Sequence, residues 1–175
     1  MRSEELVGTT PDNISSGNRS VPETAPDWTN PYNKIGVCNN IITKGANIDI
    51  AESNKNRWLA EARFFRAFYY FDLVKKYGDV PLILKVFTNT TDPEITKGRD
   101  PRETVIQQCY TDLDFAVEWL PDIDLTSGDW GRVSRSAALG MIVRIGLYEG
   151  TYIKYHSLSN GDSQTHLKRC IEAAE

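Results

Sequence analysis

Residues 53–77 read SNKNRWLAEARFFRAFYYFDLVKKY and form the stretch that decides the fold. Placed at about 100° per residue, the apolar side chains of this stretch cover almost the whole circumference of a helix. Lys75 and Lys76 complement the negative C-terminal end of the helix dipole, and Gly78 is a typical stop signal. A helix that is apolar on all sides must be buried against several neighbours. The stretch therefore predicts a long central helix in a layered helical protein.

Helical patterns also occur before and after this stretch. The further segments predicted as helices are residues 27–45, 101–120, 134–152 and one that begins near residue 164. Pro31 has to fall in the first turn of the first of these, and Asp100 is placed as the N-cap of the second. The predicted fold class is all-α, with antiparallel helix pairs like those of tetratricopeptide repeats. The chain lacks that repeat's own consensus and strict period.

The chain divides into two regions by composition. Residues 1–26 are rich in Ser, Thr, Asn, Gly, Pro and acidic residues, which predicts a loop or an extended N-terminal segment. Residues 27–175 are predicted to form one helical domain, in which Gly140, Gly146 and Gly150 indicate close helix packing. The sequence stops inside the last predicted helix, so we expect this domain to be incomplete at the C-terminus, either as an expressed fragment or as a truncated gene product.

Composition excludes several classes of protein. Hydrophobic residues make up 40% of the 175 residues, which supports a packed core, and the formal net charge is −4. No basic stretch suggests nucleic-acid binding. The apolar runs are far shorter than the roughly 20 residues of a membrane span, and no signal peptide is recognised at the start. Cys38, Cys109 and Cys170 are too far apart for a zinc or redox pair and are expected to pack inertly.

The polar residues do not form a recognisable catalytic or metal-binding arrangement. Asp112 and Asp114 are two residues apart on a predicted helix and point to different sides, so we predict that both are solvated. His156 and His166 have no acidic partner at metal-ligand spacing and are predicted to lie on the surface. We therefore expect no catalytic residues, no bound metal and no cofactor.

Residues 122–129 resemble a calcium loop because oxygen-bearing side chains alternate along them. Its sixth position holds Ser127 instead of glycine, and its twelfth holds Val133 instead of glutamate, so an ordinary polar turn is favoured. A glycan hydrolase that uses Asp122 and Asp124 is kept as a weaker hypothesis.

Two tryptophans lie outside the long helical cores. Trp28 is followed closely by Asn30, and Trp130 is flanked by glycine and aspartate. An aromatic face beside short polar side chains suits a sugar ring, whose C–H groups stack while its hydroxyls form hydrogen bonds. The alternative is that each tryptophan closes one end of a helix pair. Trp28, Asn30 and Trp130 are the candidate ligand-binding residues, because the aromatic rings of residues 53–77 are expected to be buried.

The segment Glu61–Val74, followed by Tyr77–Leu82, resembles the signature of the SusD/RagB family of outer-membrane nutrient-binding lipoproteins from Bacteroidetes-type bacteria. Further matching positions occur in the same order along the chain. They are Trp28, Tyr32, Ile35 and Asn39, then Arg102, Asp112, Leu113, Ala116, Leu120 and Pro121, and finally Gly131–Ser134, Ala137, Ala138, Leu147 and Tyr148.

This resemblance implies an all-α, SusD-like helical array that binds an oligo- or polysaccharide for a TonB-dependent, SusC-like transporter. It also implies a surface-exposed position at the cell outer membrane in the full-length protein. The membrane would be reached only through a lipid anchor that this chain does not contain. Arg63 and Arg66 of the signature are expected to reach carbonyls or carboxylates as part of the scaffold. A tetratricopeptide-type adaptor that recognises a protein partner is the alternative function.

Overall fold

The computed structural model describes residues 16–18, 20, 23–122, 131–156 and 161–175. Its five α-helices are α1 (Pro26–Gly45), α2 (Glu52–Tyr77), α3 (Arg102–Trp119), α4 (Arg135–His156) and α5 (Ser163–Ala174). One turn of 3₁₀ helix covers Pro93–Thr96, and no strand forms within the described ranges. The predicted all-α fold is confirmed.

Each helix packs mainly against the next one along the chain, from α1 to α5. The central pair is α2 and α3, and the largest fully buried side chains include Tyr70, Phe71 and Leu73 of α2. Because α2 has α1 on one side and α3 on another, its side chains link two helix layers. This sequential packing is the antiparallel array that the sequence pattern predicts.

The burial of α2 is less complete than its apolar pattern predicts. Trp58, Phe65 and Phe68 are 48%, 42% and 41% exposed, whereas Tyr69 is half-buried. Since α1 and α3 cover only part of the circumference, one side of α2 is left uncovered by the helices that the structure describes. The prediction that all the aromatic rings of this helix are buried was wrong.

Hydrogen bonds within the connection between α2 and α3 fix the start of α3. Gly78 has a φ of 71°, a left-handed conformation that glycine adopts without strain, and it ends α2. The Asp79 carboxylate then accepts a hydrogen bond from the backbone N–H of Arg102 at 2.8 Å. Asp100, predicted as the N-cap of α3, instead accepts from the backbone N–H of Leu82 at 2.7 Å. The N-terminus of α3 is therefore capped from the far side of the connection.

The structure changes one further local prediction in α1. This helix begins at Pro26, and Pro31 is its sixth residue, beyond the first turn. Proline in that position removes one intrahelical hydrogen bond. Pro31 is buried, so packing compensates for the lost bond.

Glycines allow α4 and α5 to approach closely. A Cβ atom at Gly146 would lie 2.7 Å from the carbonyl oxygen of His166, and one at Gly150 would lie 2.7 Å from the Leu167 side chain. Gly140 has open space around it. The prediction that glycines allow close helix packing is therefore confirmed for Gly146 and Gly150 but not for Gly140.

Among the described residues, no helix combines the length and apolarity that crossing a membrane requires.

Candidate functional site

Trp28 lies in the first turns of α1 and is half-buried. Its ring centroid is 5.2 Å from that of Tyr32 and 4.9 Å from that of Tyr77, which meets it edge-on. The guanidinium carbon of Arg99 lies 5.5 Å from the Trp28 ring, within cation–π range. Trp28 thus contributes to the packing between α1 and the end of α2 while part of its surface stays accessible.

Exposed polar groups lie beside these aromatic rings. We call the two rings and their charged neighbours the Trp28 corner (Trp28, Tyr77, Arg99, Asp27 and Lys76). Lys76 donates a hydrogen bond to the Asp27 carboxylate at 3.1 Å, and the Asp27 side chain is largely exposed. Arg99 is exposed and donates to the Asp79 carbonyl at 3.2 Å. The Trp28 corner therefore offers an aromatic surface beside hydrogen-bond donors and acceptors.

The other two predicted ligand-binding residues, Asn30 and Trp130, are not seen beside Trp28. Asn30 is exposed, but residues two apart on a helix do not share a face, so α1 directs it away from Trp28. Trp130 lies outside the described residues. Of the predicted set, Trp28 and Asn30 are therefore not brought together, and the polar neighbours of Trp28 among the described residues include Asp27 and Arg99.

The segment between α2 and α3 is held against the helices behind the Trp28 corner. The Tyr32 hydroxyl donates to the Pro81 carbonyl at 2.8 Å, and burial raises the pKa of Tyr32. The Tyr70 hydroxyl donates to the Ile83 carbonyl at 2.8 Å. Asn39 donates to the same carbonyl at 2.9 Å. These bonds fix the segment that carries the end of the signature.

A buried ionic cluster joins α1, α2 and α3. Arg66 forms a two-pronged ion pair with Asp112, with both N···O distances 2.7 Å, and its third nitrogen donates to Asn39 at 2.8 Å. Arg63 approaches Asp112 at 3.3 Å. The predicted scaffold role of the two arginines is confirmed. The prediction that Asp112 is solvated was wrong, because its side chain is completely buried in these contacts.

A second ion pair joins α3 to α4. Arg102 donates two hydrogen bonds, of 2.7 and 2.8 Å, to the buried Glu149 carboxylate. Its guanidinium carbon lies 3.9 Å from the centroid of the Tyr152 ring. Asp112 and Glu149, the buried carboxylates of the described residues, are therefore each engaged by arginine.

His166 anchors α5 to α3 and is buried, contrary to the prediction that it lies on the surface. One ring nitrogen is 2.9 Å from the Tyr110 hydroxyl and the other is 3.1 Å from the Glu103 carboxylate. The hydrogen bond to His166 is the main cause that lowers the pKa of Glu103. The surface prediction failed because these partners come from a distant part of the sequence.

The cysteines have the environment of packing residues. Cys38 and Cys109 are buried, and burial raises the pKa of Cys38 to about 11 and that of Cys109 well above its ordinary value. A thiolate is the reactive form of cysteine, so neither group is activated.

In the parts of the chain that the structure describes, no cluster of three His, Cys, Asp or Glu side chains could hold a metal ion. Most of the segment that resembles a calcium loop lies outside those parts.

An apolar groove runs between α1 and α2, which sequence reasoning missed. The α1–α2 groove has a volume of about 380 Å³ and is lined chiefly by Val37 and Ile41 of α1 and by Trp58, Phe65 and Tyr69 of α2. A neighbouring hollow of about 290 Å³ shares two of these residues, Ile41 and Trp58. The apolar pattern around the whole circumference of α2 could have indicated this groove, because one neighbouring helix on each side cannot cover such a helix.

Comparison with known proteins places this helical array in a family. The SusD-like family model described as "Starch-binding associating with outer membrane" matches residues 10–147. SusD-like protein P2 of Formosa agariphila is 30% identical over 66% of this chain and 23% of its own length. A SusD-like protein of Bacteroides ovatus is 28% identical over 77% of this chain and 24% of its own length. The chain thus spans about a quarter of the length of these relatives.

Solved structures agree with this comparison. A SusD-like protein of Bacteroides fragilis superposes with a TM-score of 0.70 at 29% identity, over 86% of this chain and 26% of that one. A laminarin-binding SusD-like protein gives a TM-score of 0.68 at 29% identity, over 79% of this chain and 30% of that one. A structure with xylogluco-oligosaccharide gives 0.70 at 25% identity, over 85% and 28% of the two chains. With a family match across most of its length and this shared fold, the chain belongs to the SusD-like family.

Proposed function

We propose that the full-length protein binds a glycan at the cell surface and delivers it to a SusC-like, TonB-dependent transporter in the outer membrane. The observation that carries this proposal is the shared fold with a laminarin-binding SusD-like protein and with a structure that contains xylogluco-oligosaccharide. The family description adds an association with the outer membrane.

The geometry of the described helices favours binding over catalysis. The two fully buried carboxylates, Asp112 and Glu149, are held in two-pronged ion pairs with Arg66 and Arg102. A general acid or base must reach the proton that it transfers, and these two groups are turned inward to hold helices together. They therefore stabilise a scaffold.

We propose that the Trp28 corner forms part of the glycan-binding surface, with Asn30 and Trp130 as further contacts. The accessible part of the Trp28 ring would stack against a sugar, and Asp27 and Arg99 would bind its hydroxyl groups. Each aromatic contact contributes on the order of 1 kcal/mol, so a surface of this kind binds weakly and gains strength from multivalency. This favours a polymeric glycan with repeated units.

The function is tested with the purified full-length protein and three polysaccharides, namely laminarin, xyloglucan and starch. We expect at least one of them to retard the protein in native affinity electrophoresis without release of reducing ends. Retardation by none of them would favour the tetratricopeptide-type adaptor. Release of reducing ends that Asp122→Asn abolishes would instead establish the hydrolase.

The proposed contacts are tested by Trp28→Ala, Asn30→Ala and Trp130→Ala in the full-length protein. Loss of one stacking contact in Trp28→Ala or Trp130→Ala should weaken binding about fivefold, as titration calorimetry measures. Loss of one hydrogen bond in Asn30→Ala should weaken it by a similar factor, since such a bond contributes about 1 kcal/mol. Trp58→Ala is the matched control, because Trp58 is an accessible tryptophan near the start of α2, at the opposite end of that helix from Tyr77. Folded variants that bind like the parent would show that the tryptophans are structural and that the site lies elsewhere.

The transporter partnership needs a separate experiment. The full-length protein and a candidate SusC-like transporter from the same organism are produced together, and the complex is purified through a tag on the transporter. Recovery of both proteins in equal amounts supports the proposal. Separate elution of the two proteins would contradict it without affecting glycan binding.

A further inference from the structure

We propose that the Trp28 corner binds an acidic sugar, and that Arg99 recognises the carboxylate or sulfate group of this sugar. The inference rests on the proposed glycan function and names the class of sugar that the site would take. Three observations carry it, namely the hydrogen-bond donors of Arg99, the charges around this residue and its position beside the Trp28 ring.

The two buried arginines of this protein show how a guanidinium group binds an acid here. Arg66 and Arg102 each hold a carboxylate with the same two atoms, Nε and Nη2. The remaining nitrogen of Arg66, Nη1, donates to the neutral amide oxygen of Asn39. The parallel N–H groups of Nε and Nη2 match two oxygens of a carboxylate or a sulfate, which makes this edge of the guanidinium an anion-binding edge.

Arg99 uses its donors in the same way but has no carboxylate partner among the described residues. Its Nη1 atom donates to the neutral backbone carbonyls of Tyr77 and Asp79, at 3.4 and 3.2 Å. Its Nε and Nη2 atoms form no hydrogen bond with the described residues, and Arg99 is exposed. The edge that holds a carboxylate in Arg66 and Arg102 is therefore available to a ligand in Arg99.

The neighbouring charges do not balance that of Arg99. Lys76 lies between Asp27 and Asp72, at 3.1 and 3.0 Å, so these two carboxylates have a cation of their own. The Asp79 carboxylate caps the start of α3. The C-terminal end of α2 supplies only a partial negative charge to the guanidinium. An anionic group on the ligand would complete the ion pair.

The position of Arg99 suits a sugar that contacts Trp28. The guanidinium carbon lies 5.5 Å from the centre of the Trp28 ring, so a sugar on the accessible part of that ring is within reach of Arg99. A hydroxyl group of a neutral sugar would use one N–H of the anion-binding edge, whereas a carboxylate or sulfate would use both. The chain has a formal net charge of −4, so its overall charge does not attract a polyanion and the acidic group has to be recognised locally.

The first experiment compares matched pairs of oligosaccharides by titration calorimetry of the full-length protein. The pairs are oligogalacturonate with its carboxyl-reduced form, and a sulfated carrageenan oligosaccharide with its desulfated form. We expect at least one acidic form to bind about tenfold more tightly than its neutral partner, because charge-assisted hydrogen bonds are stronger than neutral ones. The pair that shows this preference distinguishes a carboxylate from a sulfate. Absence of any preference, or of any binding, would overturn the inference, and retardation of the protein by a neutral polysaccharide would show that the proposed glycan function survives.

Substitution of Arg99 tests which residue makes the distinction. Arg99→Gln should remove the preference for the acidic form, and Arg99→Lys should keep only part of it, because an ammonium group keeps the charge but lacks the two-pronged edge. Arg144→Gln is the matched control, since Arg144 is an exposed arginine on α4, outside the Trp28 corner. A preference that persists in full in folded Arg99→Gln would overturn the assignment to Arg99.

Protection from an arginine reagent tests the same contact in the unmodified protein, so it does not depend on the folding of a variant. The full-length protein is treated with p-hydroxyphenylglyoxal, with and without each oligosaccharide, and the labelling of each arginine is measured by peptide mass analysis. We expect the preferred acidic form to protect Arg99 and its neutral partner to protect it much less, while Arg144 is labelled equally in all samples. Labelling of Arg99 that no acidic oligosaccharide reduces would overturn the inference.

Discussion

Arg66 and Asp112 show at the level of single residues how the signature stabilises the array. Removing Arg66 by Arg66→Met leaves a carboxylate buried without its main partner, which should lower the free energy of unfolding by about 3–5 kcal/mol. Urea unfolding followed by circular dichroism measures this loss. Changing Asp112 to leucine in the same variant should restore part of the stability, because no charge is then left unpaired.

The control for this variant is Lys168→Met, which removes an exposed ion pair with Glu172 at 3.7 Å. Exposed pairs contribute about 0–1 kcal/mol, so the change should be small. If Arg66→Met cost as little as this control, the buried cluster would not hold the three helices together.

Glu103 should contribute to the acid sensitivity of the fold. Its pKa in the folded protein lies below the ordinary value of 4.5, mainly through the bond to His166. The unfolded chain therefore binds the proton more readily, and the stabilisation present above pH 4.5 is lost as the pH falls through the lowered pKa. We expect Glu103→Gln to make the melting temperature less dependent on pH below 4.5.

The comparison for Glu103→Gln is Glu118→Gln, a change of an exposed glutamate on the same helix. This second variant should follow the pH dependence of the unmodified chain. Identical profiles for Glu103→Gln and the unmodified chain would show that the contact with His166 has no part in acid unfolding.

The residue-scale results show what a sequence pattern can and cannot predict. Arg63 and Arg66 were correctly predicted to contact polar partners, because burying a guanidinium group without a partner is costly. The burial of Asp112 and His166 could not be read from helical spacing, because their partners lie 46 and 63 residues away. Such partners become neighbours only when the helices pack.

At the scale of elements, the contact between α4 and α5 depends on glycine. Gly146→Ala would place a Cβ 2.7 Å from the backbone oxygen of His166, so we expect a loss of about 1–3 kcal/mol in the free energy of unfolding. Gly140→Ala is the matched change on the same helix, and open space surrounds that position. It should stabilise the chain by up to about 1 kcal/mol through helix propensity.

Thermal unfolding of both variants tests this pair. Equal stabilisation by the two substitutions would mean that α5 does not pack against α4 as closely as the structure shows.

Local pattern predicted the extent of α2 to within one residue, since the predicted start was Ser53 and the observed start is Glu52. It missed the cap of α3, because Asp79 and Asp100 both lie near that N-terminus and only the folded connection determines which one caps it.

At the scale of the whole molecule, the sequential helix order was predicted and the uncovered groove was not. Periodicity and the small residues of α4 indicate which helices pack together. They do not show that the described neighbours of α2 leave Trp58 and Phe65 exposed. The pattern along α2 specifies neither how many neighbours this helix has nor which side of it they cover.

The same order implies that stability is unevenly distributed. The helices α2 and α3 each have neighbours on two sides, whereas α5 packs against α4 and reaches α3 through side chains. Those side-chain contacts are His166 with Tyr110 and Glu103, and Arg169 with Asp114. Elements with fewer contacts open before the whole molecule unfolds.

Native-state hydrogen exchange on residues 1–175 should therefore show the slowest exchange in α2 and α3 and faster exchange in α5. His166→Ala removes two of the side-chain contacts that hold α5 to α3, so it should accelerate exchange in α5 much more than in α2. His156→Ala is the matched control, because His156 is exposed at the end of α4. Equal acceleration throughout the five helices would mean that the array unfolds as one unit. The expected gradient would show that α5 is held by its His166 contacts and can separate while the α2–α3 pair stays folded.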